Sequence, residues 1–258
     1  MNVRITELVA GARSARGLAV IIDVFRASSS IVAAFAAGAE RIVPAGDLEE
    51  ACRLKRRNPA WLLFGERDGL PPRGFDSGNS PPAILRMDLR GKTIVFTTSA
   101  GTQGIVNATG ADEIVIGSFL NAGAVADYAT GAVDPAGQHP CGSWRSQTTD
   151  GTADASCGAA CRTPRKEEVT LVAMGVAATR PSLEDRLCAE YIRALILREE
   201  FDLDGATRAI LADPEAAKFF DPANLICNPD DVRLSLTPNR FRIVPRCEDR
   251  AGLVALRV

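Results

Sequence analysis

DVFRASSS, at residues 23–30, ends an apolar run in an acid, an arginine and three consecutive hydroxyls, with no glycine to ease the turn. These groups suit an oxyanion. Arg26 offers a planar fork of N–H donors to phosphate, while Ser28, Ser29 and Ser30 bring hydroxyls and, at a helix start, free backbone N–H groups. TTSAGT (97–102) has a similar make-up, with Thr97, Thr98, Ser99 and Thr102 as hydroxyl donors and Gly101 to let the backbone approach closely. Taken singly, each turn is an ordinary helix cap. Taken as a pair at strand ends, they are expected to form an anion cradle.

Acids occur at comparable places. Asp23 closes a strand that should be buried on both faces, where an unpartnered carboxylate is costly. Glu66 and Arg67 follow another strand end, and Glu184 and Asp185 open a later helix. A hard cation such as Mg2+ takes oxygen ligands and keeps several waters, so two or three of Asp23, Glu66, Glu184 and Asp185 would suffice. The plainer readings are a buried partner for Arg26 or a capping acid in the case of Asp23, and favourable helix N-terminal charges in the case of Glu184 and Asp185. Arg67 and Asn79 bracket the loop GERDGLPPRGFDSGNSP and, with Arg26, are placed to take a second anionic group. Arg73 and Asp76 are placed to pair with each other inside that loop. Hydrolysis of a phosphate ester needs charge neutralisation on the phosphoryl oxygens, an aligned nucleophile and often a divalent cation. This set of groups meets those needs.

Short apolar runs alternate with helical patterns along the chain, which predicts an α/β fold with a mostly parallel sheet flanked by helices. LAVIID (18–23), RIVPA (41–45), WLLFGE (61–66), KTIVFTT (92–98), EIVIGS (113–118) and VTLVAMG (169–175) read as strands. Helices are expected from about Ser29, over DLEEACRLKRR, after each of the two strands ending at 98 and 118, and from near Ser182, where a serine precedes two acids. DPEAAKFFDPANL reads as short helices, and RLSLTPNRFRIVP as a closing antiparallel pair. An echo between AAGAERIV (36–43) and ATGADEIV (108–115) suggests two pseudo-repeated strand-turn-helix-strand halves, whose polar turns would face one another across a crevice.

The 258 residues, 46% of them hydrophobic, fit one large domain spanning 1–258. Thirty basic side chains against 32 acidic give a net charge of −2, so no overall basic field would hold nucleic acid or an anionic membrane. No stretch has the length of a membrane span or a secretory leader, and a cytoplasmic location is expected, with a homodimer as the default assembly. Residues 133–167 have almost no aliphatic side chains and read as a flexible insertion. Its His139, Cys141, Cys157 and Cys161 lack the paired spacing of a zinc site and are expected to be unliganded. The other four cysteines, Cys52, Cys188, Cys227 and Cys247, are scattered singly and fit no disulfide framework.

IIDVFRASSSIVAAFAAGAERIVP, GERDGLPPRGFDSGNSP, KTIVFTTSAGTQGI, GSFLNAGAVA, SLEDRLCA and FRIVP, in that order, resemble the successive blocks of the 2-phosphosulfolactate phosphatase, or ComB-like, family. The resemblance covers nearly the whole chain outside the insertion. It implies a Mg2+-dependent phosphoric monoester hydrolase that converts (2R)-phospho-3-sulfolactate, a small anionic phosphorylated substrate, to 3-sulfolactate and phosphate on the way to coenzyme M. Carried over block by block, it implies a site lined by Asp23, Arg26, Glu66, Arg67, Asn79, Thr98, Ser99, Gly101, Thr102, Ser118, Asn121, Glu184 and Asp185. VAMGVAATRPSLED departs from the cysteine- and glycine-richer turn of that family, at the edge of the pocket near Glu184. No DxDx(T/S) block follows Asp23, so metal-bound water is the expected nucleophile, with an aspartyl-phosphate on Asp23 as the alternative. Other functions of the same site are a phosphatase for another small phosphorylated hydroxy acid and a non-catalytic anion-binding protein.

Overall fold

The computed structural model describes residues 1–132, 164–224, 226–248 and 252–258. Along them the chain runs β1 (Asn2–Glu7), α1 (Leu8–Ser14), β2 (Leu18–Ile22), α2 (Ala27–Ala36), β3 (Arg41–Pro44), α3 (Leu48–Arg57), β4 (Leu62–Gly65), α4 (Pro81–Leu85), β5 (Thr93–Thr97), α5 (Gly101–Asn107), β6 (Glu113–Gly117), a 3-10 turn (Phe119–Asn121) and α6 (Ala122–Thr130). It continues through β7 (Glu168–Ala173), α7 (Leu183–Leu197), α8 (Leu203–Ala212), α9 (Pro214–Ala217), α10 (Pro229–Ser235), β8 (Ile243–Glu248) and β9 (Gly252–Arg257).

The strands form one nine-stranded sheet in the order β1, β7, β2, β6, β8, β9, β3, β5, β4. Pairing is parallel from β1 to β6 and from β3 to β4. The antiparallel β8–β9 hairpin joins these two groups, with one registered pair on each side, Val115 with Arg246 and Ile42 with Leu253. The chain is thus α/β, with a mostly parallel sheet flanked by helices.

Both faces of the sheet are covered, which is why its inner strands read as unbroken apolar runs. Every residue of LAVII in β2 is buried. Ile21 packs with Ile31 of α2 and Ile105 of α5, while Val20 and Ile22 pack on the other face with Val125 of α6 and Ile192 of α7. Each such fully buried side chain contributes about 1.5–3 kcal/mol of transfer free energy. By contrast α3 lies on the surface, capped by Asp47 and carrying Glu49 and Glu50 in its first turn and Lys55, Arg56 and Arg57 in its last. That charge order complements the helix dipole.

The two units suggested by the echo share one order, β2–α2–β3 and β5–α5–β6, and sit symmetrically about the β8–β9 hairpin. Two expectations are corrected. The N-terminal residues, for which no regular element is expected, form edge strand β1 and helix α1; NVRITE alternates only weakly and is half-buried, so its strand depends on pairing with β7. The closing antiparallel pair falls at 243–257 rather than 233–245, because Asn228 caps a helix whose first residue is Pro229, and Arg233 lies inside it.

The insertion's His139, Cys141, Cys157 and Cys161 lie outside the described residues. On either side of it, the Ala132 N–H bonds the Asp127 carbonyl at 2.8 Å and the Lys166 N–H bonds the Ala129 carbonyl at 3.0 Å. Both flanks are therefore tied to the last turn of α6.

Candidate active site

The turns after β2 and β5 meet, as their make-up suggests. A Cβ on Gly101 would lie 2.5 Å from the Ala27 Cβ and 3.0 Å from Asp23 Oδ2, so only glycine lets α5 begin against the Asp23 turn. The turn after β4 joins them through Glu66. Its Oε1 accepts the Ser99 N–H at 2.8 Å and its Oε2 the Gly69 N–H at 3.0 Å. Asp185, from α7, does the same for the loops after β2 and β7: Oδ1 accepts the Val24 N–H at 2.7 Å and Oδ2 the Gly175 N–H at 2.8 Å. Asp23 Oδ1 accepts the Ala27 N–H at 3.2 Å. Glu184 and Asp185 are therefore not exposed helix-end charges; both are buried.

Between these loops lies a cavity of about 380 Å3. Its wall includes Asp23, Arg26, Glu66, Asn79, Ser99, Glu184 and Asp185 of the expected site. Six carboxylates line it, those of Asp23, Glu66, Asp68, Glu184, Asp185 and Glu215, against two cations, Arg26 and Lys218. This excess of acid is visible in their protonation. Burial, with the charges of Glu66 and Glu184 nearby, pushes the Asp23 carboxyl up to about 7. Burial raises Asp185 well above the ordinary carboxylate range, helped by Glu184 and Asp23. Glu184 is raised by burial and by the charges of Asp213 and Glu215.

Arg26 is fixed on three sides. Its Nη1 donates to Asp231 Oδ2 at 3.0 Å, its Nη2 donates to the Gly69 carbonyl at 3.0 Å, and the guanidinium lies 5.7 Å from the centre of the Phe219 ring. Asp231 and Phe219 were not among the residues expected in the site. They come from the helical segment after α8, far along the chain from Arg26.

Among the described residues, no group of three or more His, Cys, Asp or Glu side chains is arranged to hold a metal ion. The donor set nonetheless fits a cation that relies on water and substrate for the rest of its shell. Glu66 and Asp185 already accept backbone N–H groups on both oxygens, whereas Glu184 Oε2 is buried with no hydrogen-bond partner. Asp23 and Glu184 are the acids best placed to hold such an ion. Asn79 Oδ1 is a second buried atom without a partner in the cavity wall.

The remaining expected residues do not line the cavity. The Ser28 hydroxyl accepts the Asp23 N–H at 2.9 Å and donates to the Ile21 carbonyl, Ser29 donates to the Val24 carbonyl, and Ser30 donates to the Asn79 carbonyl. Thr98 and Thr102 cap each other, with the Thr98 N–H on Thr102 Oγ1 at 3.1 Å and the Thr102 N–H on Thr98 Oγ1 at 3.3 Å. Arg67 turns back to the Glu66 carbonyl and to Thr97 Oγ1. Asn121 closes a capping box with Ser118 and ties the Ile116 and Ile243 carbonyls together, in a 3-10 turn whose three residues are all buried. These hydroxyls and amides, like Gly101, shape the turns and leave the cavity to others. Asp76 binds the Leu63 N–H and Lys55 in place of Arg73.

A family model described as 2-phosphosulpholactate phosphatase matches residues 3–135. That stretch holds Asp23, Arg26, Glu66, Asn79 and Ser99 and stops short of Glu184, Asp185 and Asp231. Proteins named probable 2-phosphosulfolactate phosphatase are similar over the same kind of length. The one from Thermotoga petrophila is 46% identical over 110 residues, 43% of this chain and 47% of its own. Those from Carboxydothermus hydrogenoformans and Thermotoga maritima are 45% identical over 109 residues (42% and 45%) and 44% identical over 110 residues (43% and 47%). The chain spans about half the length of the curated relatives it matches. With just over half of its residues matched by the family model, the chain belongs to the 2-phosphosulfolactate phosphatase family.

Proposed function

We propose that the chain is a Mg2+-dependent phosphatase that hydrolyses (2R)-phospho-3-sulfolactate to 3-sulfolactate and phosphate, the coenzyme M type of reaction. The observation that carries this reading is the lining of the cavity: six carboxyl groups against two cations offer a phosphate ester little positive charge, which a bound cation would supply while displacing the protons held by the raised acids. Asp23 and Glu184 would hold that ion. Bound there, it would neutralise the acids and draw charge off the phosphoryl oxygens. Arg26 would present its remaining N–H donors to the same oxygens. Asn79 would orient the substrate through its amide. Hydrolysis moves a proton from the attacking water to the leaving oxygen, and Asp185, held through both oxygens and with its proton affinity raised, is the carrier this reading assigns. Among the described residues Cys52, Cys188 and Cys227 are free thiols, which suits a cytoplasmic location. Among the described residues no helix is long and apolar enough to cross a membrane.

One observation favours a second substrate. Phosphosulfolactate carries three anionic groups, while the cavity offers Arg26 and Lys218 beside the apolar side chains of Phe25, Phe219 and Ile226. A phosphorylated hydroxy acid with one fewer charge fits that wall. Phosphate release from phosphosulfolactate and from a panel of such acids, with Mg2+ and with EDTA, separates the two. Turnover of phosphosulfolactate at least tenfold above every other acid supports the first. Release that does not depend on Mg2+ overturns both.

A further inference from the structure

We infer that Asp231 is a positioning residue of this site, acting through Arg26. Its carboxylate is completely buried at the start of α10, yet both oxygens are engaged by side chains from other parts of the chain. Oδ2 accepts from Arg26 Nη1 at 3.0 Å, and Oδ1 accepts from the Ser80 hydroxyl at 2.5 Å. Arg26 in turn donates to the Gly69 carbonyl, whose N–H is held by Glu66, whose other oxygen holds Ser99. One connected path thus runs from a helix outside the family-matched stretch into the middle of the cavity. A flexible arginine has many rotamers, and a single fixed carboxylate behind it selects the one in which its free N–H edge faces the cavity. The Ser80 hydroxyl fixes the far oxygen and hence the plane in which the pair lies.

This rests on the reading of the cavity as a phosphatase site. Its test is a double-mutant cycle on kcat/KM for phosphate release with Arg26→Ala and Asp231→Asn. In the Arg26-containing enzyme, Asp231→Asn is expected to lower kcat/KM about 100-fold, the scale of an ångström-sized misplacement of a catalytic group. In the Arg26→Ala background the same change is expected to lower it less than about threefold, because nothing remains to be positioned. Multiplicative losses, or an Asp231→Asn enzyme as active as wild type, overturn the inference. Ser80→Ala leaves the ion pair intact and covers the case in which Asp231→Asn does not fold; it is expected to cost roughly three- to tenfold with Arg26 present and nothing measurable without it. If the wild-type protein releases no phosphate from any ester, the phosphatase reading fails by itself, and the same cycle is run on the affinity for inorganic phosphate with Mg2+ by titration calorimetry. Coupled losses there uphold the role of Asp231, and independent losses refute it.

Discussion

Replacing Asp23 by Asn should make the metal-free protein relatively more stable as the solution becomes more alkaline. Asp23 sits at the end of β2, and burial together with Glu66 and Glu184 pushes its carboxyl from 3.8 to about 7. Because the folded value lies above the unfolded one, its contribution to stability is fully present below pH 3.8 and is lost as the pH rises through about 7. Net of ionisation in the folded chain, ionisation in the unfolded chain favours unfolding by about 2 kcal/mol at pH 5 and about 4 kcal/mol at pH 8. Asn carries no such proton, so the stability of Asp23→Asn relative to wild type should improve by about 2–3 kcal/mol between those two pH values. For a chain of this size that is roughly 5–10 °C in relative midpoint. Denaturant or thermal unfolding in EDTA at pH 5 and pH 8 measures it, and the comparison across pH cancels the fixed cost of placing an amide against the Ala27 N–H. Mg2+ should restore the wild type at pH 8, leave the Asn variant unchanged, and support turnover only in the wild type. A stability gap that is the same at both pH values would refute the raised carboxyl, and an Asn variant that keeps full activity would refute its place in the site.

Glu66→Gln turns an amide N–H toward either the Ser99 or the Gly69 N–H, so it should cost about 2 kcal/mol of stability by urea unfolding and lower kcat/KM at least tenfold. Asn121→Ala strands the Ile116 and Ile243 carbonyls and the Ser118 N–H, for a loss of about 3 kcal/mol; activity per folded molecule at 20–25 °C should stay within about twofold of wild type, since the side chain does not reach the cavity. Exchange of residues 133–163 for a short glycine-serine linker should also leave kcat/KM within about twofold. Their flanks are tied to α6 near the start of β7, whereas the cavity lies past its end at Gly175, and the six residues of β7 separate the two by roughly 20 Å. A tenfold loss in that variant would contradict the placement.

The central strands were legible because a strand covered on both faces is apolar along its buried length, as LAVII is throughout and as TIVFT and EIVIG are in their middle residues. NVRITE was not, since it is half-buried along its length and its polar residues leave no such run. The acids were legible for a similar reason. Asp23 follows five buried residues, and a carboxylate there has to find donors or a cation. The hydroxyls misled because the residue types that bind phosphate are also those that cap helices, and spacing alone does not say which way Ser28 or Thr102 points. Asp231 left a fainter trace: it shares a helix face with Leu234 and Ser235, three and four residues on, and both are buried. Asp230, one residue earlier, is exposed and pairs with Arg233.

The acid-rich cavity also bears on how the site holds its shape before any ligand arrives. Three of the acids that line it tie down a loop other than the one that carries them, or their own turn. Glu66, after β4, holds Ser99 after β5; Asp185, in α7, holds Val24 after β2 and Gly175 after β7; Asp23 holds Ala27 at the start of α2. Hydrogen bonds from backbone N–H groups to a carboxylate stabilise by about 1.5–3 kcal/mol each, enough to fix loops that have little else in common. The acids lie together in one buried space, where burial first and neighbouring carboxylates second raise the proton affinity of Asp23, Glu184 and Asp185. A protein that needed only rigid loops would have no reason to gather those charges, since amides or hydroxyls could cap the same N–H groups without repelling one another. On the proposed reading a cation would complete the arrangement, and the loops would already lie where that cation and a phosphate ester require them.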